Sequence, residues 1–325
     1  MKNNSLKEIG EKLLSGKKVV IYPHSGVDGD ALGSCTALCL ALRNRGIESI
    51  VLTDEDMPNN LRFLDRGCCS SYMDDGNGAD ISVCVDSGEI QRIGDRGEVF
   101  NKAPFSICID HHVTGKYFCD LNYIDSNAGA TGEIMFSLFK ECNIEITKEI
   151  AESLYTAIIT DTGNFMYQNT RPITHEIAAE LLEKGVRPDD VALQLYESNR
   201  MERLKIEGEA MRTLQLFSDG KIASVYVSQA MLELTGAKMD ETDGIAPKVR
   251  SIKGVDVAIF FKEKAKDEIK VSMRSKKLLD VSKVSMAFGG GGHARAAGCT
   301  IRSDLDTAMK KVTEAVIEYM KEENL

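Results

Sequence analysis

Three apolar runs in the first third of the chain each end in residues able to hold a cation. Val19-Val20-Ile21-Tyr22 leads into His24-Ser25-Gly26-Val27-Asp28-Gly29-Asp30, Ile81 to Val85 into Asp86, and Phe105 to Ile109 into Asp110-His111-His112. Apolar runs of this length, interrupted only by Ser82 and Ser106, fit strands buried on both faces, as the strands of a parallel sheet are. The stretches between them, such as the amphipathic Cys35 to Arg45, fit helices. Strands alternating with helices predict an α/β fold whose first part is a doubly wound, mainly parallel sheet with helices on both faces. In such sheets ligands bind beyond the carboxyl ends of the strands, where all three donor-bearing stretches fall.

One imidazole and two carboxylates in a tight loop repel or compete for protons unless a cation joins them. Gly26, Gly29 and Gly33 let the backbone there bend closely. Taken alone, the same stretch also fits an N-capping Asp28, a turn aspartate and an unrelated histidine, and Asp86 alone fits a helix cap. His111 and His112 are harder to account for without a ligand, because imidazoles after a buried strand need partners. Further on, the helix Lys148 to Thr160 runs into Asp161-Thr162-Gly163, which is either one more carboxylate for the site or an ordinary helix end.

A chain of 325 residues is long enough for two domains. Helices are expected over Ala130 to Cys142 and Ile173 to Lys184, closing a first domain at 1–186. A helical, semi-rigid linker at 187–206 would lead to a second, smaller α/β domain at 207–325. That domain should hold a helix from Leu204 to Phe217, strands at Ile222 to Val227, Asp256 to Lys262 and Ile269 to Arg274, a helix from Asp280 to Phe288, and a final helix from Leu305 to Lys321. The net charge of -10 argues against a basic track for long DNA or RNA. It is unevenly spread, with 19 basic against 18 acidic residues from Glu207 on and 21 against 32 before it. The polar N-terminus lacks a signal-peptide core and no run reaches the roughly 18 apolar residues of a membrane span, so a cytoplasmic protein is expected. The nine cysteines include no Cys-x-x-Cys pair and read as reduced thiols, several of them in the core.

The second part carries one unusual segment, Gly289-Gly290-Gly291-Gly292-His293-Ala294-Arg295. Four glycines are costly to order, and they suit a loop whose amides approach an anion, with His293 and Arg295 as charged donors. A flexible hinge is the alternative. Arg274-Ser275-Lys276-Lys277 is a weaker candidate for anion contact and fits a solvated turn as well.

Together, His24-x-x-x-Asp28-x-Asp30, Asp86, Asp110-His111-His112, Asp161 and Gly-Gly-Gly-Gly-His293-x-Arg295 resemble the DHH phosphoesterase superfamily over nearly the whole chain. The late glycine motif is similar to the DHH-associated C-terminal domain of its nanoRNase and pAp-phosphatase branch. The resemblance implies two divalent cations, manganese first, with magnesium or cobalt as alternatives. Oxygen and imidazole donors without a thiolate agree with that choice. It places His24, Asp28 and Asp86 on one ion, and Asp30, Asp86, His111 and Asp161 on the other, with Asp86 bridging. Asp110 would orient the histidines and His112 would face the substrate phosphate, so that His112, Asp86 and Asp110 form the catalytic set. Arg274, Ser275, Gly290, Gly291, Gly292, His293 and Arg295 would bind substrate, and a site divided across the linker would close only when both halves engage.

The implied activity is hydrolysis of short oligoribonucleotides or linear dinucleotides such as pApA to nucleoside 5'-monophosphates, with removal of the 3'-phosphate of pAp as a companion reaction. Cyclic dinucleotides, pyrophosphate and a non-catalytic nucleotide sensor are the competing readings. Long duplex DNA and membranes are not expected partners, and a homodimer through an apolar stripe on a first-domain helix is compatible with the pattern.

Overall fold

The computed structural model describes residues 3–53, 57–276 and 279–323. The chain divides between Ser198 and Asn199 into two units. That division falls inside the segment expected to be a linker. Helix α7, Pro188–Tyr196, buries Val191 and Leu195 in the first core, so this part of the segment is packed structure.

The first unit contains, in order, α1 (Leu6–Leu14), β1 (Lys18–Tyr22), α2 (Gly29–Arg43), β2 (Glu48–Leu52), β3 (Cys69–Ser70), β4 (Ile81–Val85), α3 (Gly97–Phe100), β5 (Ser106–Asp110), β6 (Leu121–Ile124), α4 (Thr131–Glu141), α5 (Lys148–Asp161), α6 (Pro172–Glu183) and α7. Among the described residues its six strands are all parallel, in the order β3-β2-β1-β4-β5-β6. The winding reverses between β1 and β4, and the crevice at such a reversal is where doubly wound sheets bind ligands. Val19, Ile21, Val83, Val85, Ile107 and Ile109 pack against α1, α2, α4 and α5. Val20, Tyr22 and Cys84 face the other way, onto α3 and the 3-10 stretch Ile90–Arg96. Both faces are covered, unequally.

Helix α2 starts at Gly29, six residues before the expected Cys35, because Asp28 caps it by accepting from Ala31 N at 3.0 Å. Asp30 is therefore helical. Gly29 and Gly33 serve close packing more than bending: a Cβ on Gly33 would stand 2.4 Å from Ser153 O of α5. The bend in the loop belongs to Gly26, at φ 66°.

The second unit contains α8 (Met201–Arg212), β7 (Gln215–Phe217), β8 (Ile222–Val227), α9 (Gln229–Thr235), α10 (Ile245–Arg250), β9 (Val257–Ala265), β10 (Glu268–Ser275), α11 (Val281–Ala287), β11 (Gly291–His293), β12 (Ala296–Ile301) and α12 (Leu305–Glu322). The helix expected to run to Phe217 stops at Arg212, and Gln215–Phe217 pairs with β8 as an edge strand. The sheet order is β11-β12-β10-β9-β8-β7, antiparallel except for β8 with β9. Helices α11 and α12 pack on one face and α8 to α10 on the other. Among the described residues no helix is long and apolar enough to cross a membrane, and all nine cysteines are free.

Candidate metal centre

The strand ends at the winding reversal bring the donors together. His24 Nε2 lies 3.6 Å from Asp28 Oδ2 and 3.7 Å from Asp86 Oδ2. His111 Nε2 lies 3.7 Å from Asp30 Oδ2, 3.6 Å from Asp86 Oδ1 and 3.6 Å from Asp161 Oδ2. These gaps exceed a hydrogen bond. They suit two donors on one ion, since ligands about 2.1–2.2 Å from a common cation, at angles of about 90–120°, stand roughly 3.0–3.8 Å apart. Asp86 turns one carboxylate oxygen to each group of donors.

The proton positions implied by the hydrogen bonds point the same way. His24 Nδ1 faces Ser25 O at 2.9 Å and His111 Nδ1 faces Ala128 O at 3.1 Å. A carbonyl can only accept, so each Nδ1 carries the proton and each Nε2 turns a lone pair toward carboxylates. A lone pair facing anions is unfavourable unless a cation or proton lies between them. Burial pushes the Asp30 carboxyl up to about 7, with Asp161 and Asp28 adding to the rise against the pull of His111. Burial raises Asp86 as well, reinforced by Asp30 and Asp28, and also raises Asp161. Burial opposes a charged His111, yet Asp30 and Asp161 hold its pKa above the ordinary imidazole value. The donor set fits a hard divalent cation, and no thiolate takes part.

Local structure holds the donors in place. Asp86 sits in the left-handed region at φ 56°, where a non-glycine residue is strained, and its Oδ1 accepts from Thr131 Oγ1 at 2.7 Å. Asp30 accepts from Ser34 Oγ and Gly132 N at 3.0 Å and from Thr131 N at 2.7 Å. Asp161 ends α5, and the chain then turns through three consecutive left-handed residues, Gly163, Asn164 and Phe165. Phe165 is anchored there by stacking on His175 at 4.9 Å.

Asp110, fully buried, sets His112 through a 2.7 Å contact from Oδ1 to Nδ1. That fixes the proton on Nδ1 and presents Nε2, which accepts from Arg92 Nη1 at 3.1 Å. Asp110→Asn should lower the turnover rate roughly 10- to 100-fold with little change in KM, because the ring loses its orienting acceptor. Steady-state kinetics on the purified variant checks this. Arg92, Thr131 and Asn169 escaped the sequence reading. They lie in turns or helix starts with no apolar pattern to mark them.

In the second unit the glycine segment is ordered structure. Gly290 packs where a Cβ would stand 2.3 Å from Gly298 O, and Gly292, at φ 135°, faces Ala296 O in the same way. Gly291–His293 forms β11, and the register aligns His293 with Ala296 and Ala296 with Arg274. These three side chains share a sheet face with Gly291, Gly298 and Ser272, beyond the part covered by α8 to α10. An arginine and a histidine thus flank a seat of small residues. Ser275 departs from its expected role: it is buried, and its hydroxyl is used by Leu279 O at 2.7 Å and Ala294 O at 3.3 Å. The inward phase of β10 explains this. Arg295 is exposed, with Nη1 3.3 Å from Leu279 O, and Lys277 lies outside the described residues.

Residues 18–158 match the DHH family, N-terminal domain, and residues 220–322 the DHHA1 domain. The chain is 34% identical over 308 residues to the bifunctional oligoribonuclease and PAP phosphatase NrnA of Thermus thermophilus, covering 93% of this chain and 90% of that protein. Its identity to the Bacillus subtilis protein of the same name is 29%, covering 90% and 95%. A solved structure of an exopolyphosphatase-related protein from Bacteroides fragilis has a TM-score of 0.93 at 25% identity, covering 98% of this chain and 97% of that one. With donors spaced for cations at the strand ends and both domains matched in order, the chain belongs to the DHH phosphoesterase family, its DHH domain followed by a DHHA1 domain.

Proposed function

We propose that this protein hydrolyses short oligoribonucleotides and linear dinucleotides such as pApA to nucleoside 5'-monophosphates, and pAp to AMP, using two divalent cations, Mn²⁺ first. The observation that carries the reading is Asp86, whose two oxygens face two separate donor groups. The names of the relatives from Thermus thermophilus and Bacillus subtilis support the substrate class. His24, Asp28 and Asp86 would hold one cation, and Asp30, His111, Asp161 and Asp86 the other. Bound divalent cations supply Lewis-acid stabilisation of phosphate oxygens and water activation at neutral pH.

The chain's own groups do the rest. Asp110 keeps the His112 proton on Nδ1, so Nε2 faces outward as the ring nitrogen able to exchange a proton with the substrate. Arg92 places a guanidinium beside it for a phosphate oxygen. In the second unit, Arg274 and His293 would offer donors to a phosphate over the small-residue face. A seat with one arginine and one histidine, and no continuous basic track, suits a short substrate better than a long polymer.

Hydrolysis of pAp, pApA, a five-residue RNA and pyrophosphate with Mn²⁺ tests this. AMP release from pApA and pAp, abolished by EDTA, is the expected result. Cleavage of pyrophosphate alone would overturn the reading, and Mn²⁺ binding with no turnover of any of the four would favour a sensor. Arg274→Ala and His293→Ala should each raise KM for pApA roughly 10-fold or more, with kcat much less affected.

A further inference from the structure

The donors of the Asp30, His111 and Asp161 group rest on one short segment, residues 128–132. Ala128 O accepts from His111 Nδ1, Thr131 N and Gly132 N donate to Asp30, and Thr131 Oγ1 donates to the Asp86 oxygen that faces this group. Asn169 ties Asp161 to the same segment, its Nδ2 donating to Gly129 O at 2.8 Å and to Asp161 Oδ2 at 3.2 Å. His24 and Asp28 are held elsewhere, by Ser25 O and Ala31 N. Apart from the shared Asp86, the two donor groups therefore have different supports.

The segment is fastened by a carboxylate that belongs to neither donor group. Glu133 is 3% exposed. It accepts from Gly129 N at 3.1 Å, Arg171 Nη2 at 2.7 Å and Thr174 Oγ1 at 2.5 Å. Thr174 Oγ1 in turn accepts from Arg171 N at 3.1 Å. A carboxylate buried this deeply is tolerated only when its oxygens are well partnered, and here every partner lies on the 129 turn or at the start of α6.

We propose that Glu133, locked by Arg171 and Thr174, is a positioning residue for one cation position only. It holds residues 128–132 in register with Asp30, His111 and Asp161, and it leaves the His24 and Asp28 position to its own loop. The inference rests on the two-cation reading of the site.

Equilibrium dialysis of Mn²⁺ against the full chain tests it, using wild type, Glu133→Gln and Arg171→Gln. Glutamine keeps the shape of Glu133 but removes the charge that Arg171 meets. Wild type should bind two Mn²⁺ per chain. Each variant should keep one with affinity within about twofold and bind the other at least about tenfold more weakly. Two unchanged affinities, or two that fall together, would overturn the proposal; a wild type that binds fewer than two would overturn the two-cation reading instead. Should Glu133→Gln fail to fold, as thermal unfolding would show, Arg171→Gln decides, since that side chain is 37% exposed and Gly129 N and Thr174 Oγ1 still partner Glu133.

Discussion

Asp86→Asn should reduce hydrolysis of pApA by at least about a thousandfold while leaving the fold intact. Asparagine is the informative replacement because of the backbone. Asp86 sits at φ 56°, a conformation that Asn tolerates and Ala does not. Asn also retains one oxygen for Thr131 Oγ1, which donates to Asp86 Oδ1 at 2.7 Å. What it loses is the charge and the second oxygen, and with them the simultaneous facing of both donor groups. Asp86→Ala should show the same loss of activity plus about 1 kcal/mol of destabilisation from the left-handed backbone. Kinetics with Mn²⁺ in excess, set beside thermal unfolding of both variants, separates the chemical effect from the conformational one. A retained rate in Asp86→Asn would remove Asp86 from the centre of the site.

The second large effect concerns the chain stripped of cations. Burial lifts the Asp30 carboxyl from its ordinary value near 3.8 to about 7 in the folded state. A raised carboxyl pKa means that the folded chain binds a proton the unfolded chain has already released. This contribution to stability is therefore complete below about pH 4 and lost as the pH rises through 7, by an amount on the order of a few kcal/mol. Asp86 and Asp161 shift in the same direction. A cation does at pH 8 what protons do at pH 5. EDTA should thus lower the Tm by roughly 8–16 °C at pH 8, from about 4 kcal/mol of ligand stabilisation at saturating metal, and by far less at pH 5. Calorimetry across pH, with and without Mn²⁺, checks both the size and the sign.

Much of the first unit was readable because β1, β4 and β5 are nearly continuous apolar runs with candidate donors at their ends. Chemistry and secondary structure were marked by the same residues. The N-cap reading and the ligand reading of Asp28 turned out to be compatible: Oδ1 caps α2 and Oδ2 faces His24. What escaped the sequence reading depends on contacts distant along the chain. Thr131 reaches Asp86 from a helix start 45 residues on, and β6 and β7 are short strands with no clear alternation. In the second unit, the glycines and Arg274 were visible as separate motifs. Only the strand register shows that His293 and Arg274 flank the same alanine.

The four consecutive glycines are not equivalent, and this has a use. Gly290 and Gly292 are locked against neighbouring backbone, whereas a side chain at Gly291 would meet no atom within 4 Å and would rise from the same face as His293 and Arg274. Position 291 is therefore the natural engineering handle in this chain. Alanine, valine or a larger residue placed there should narrow the proposed phosphate seat step by step, tuning which molecules fit.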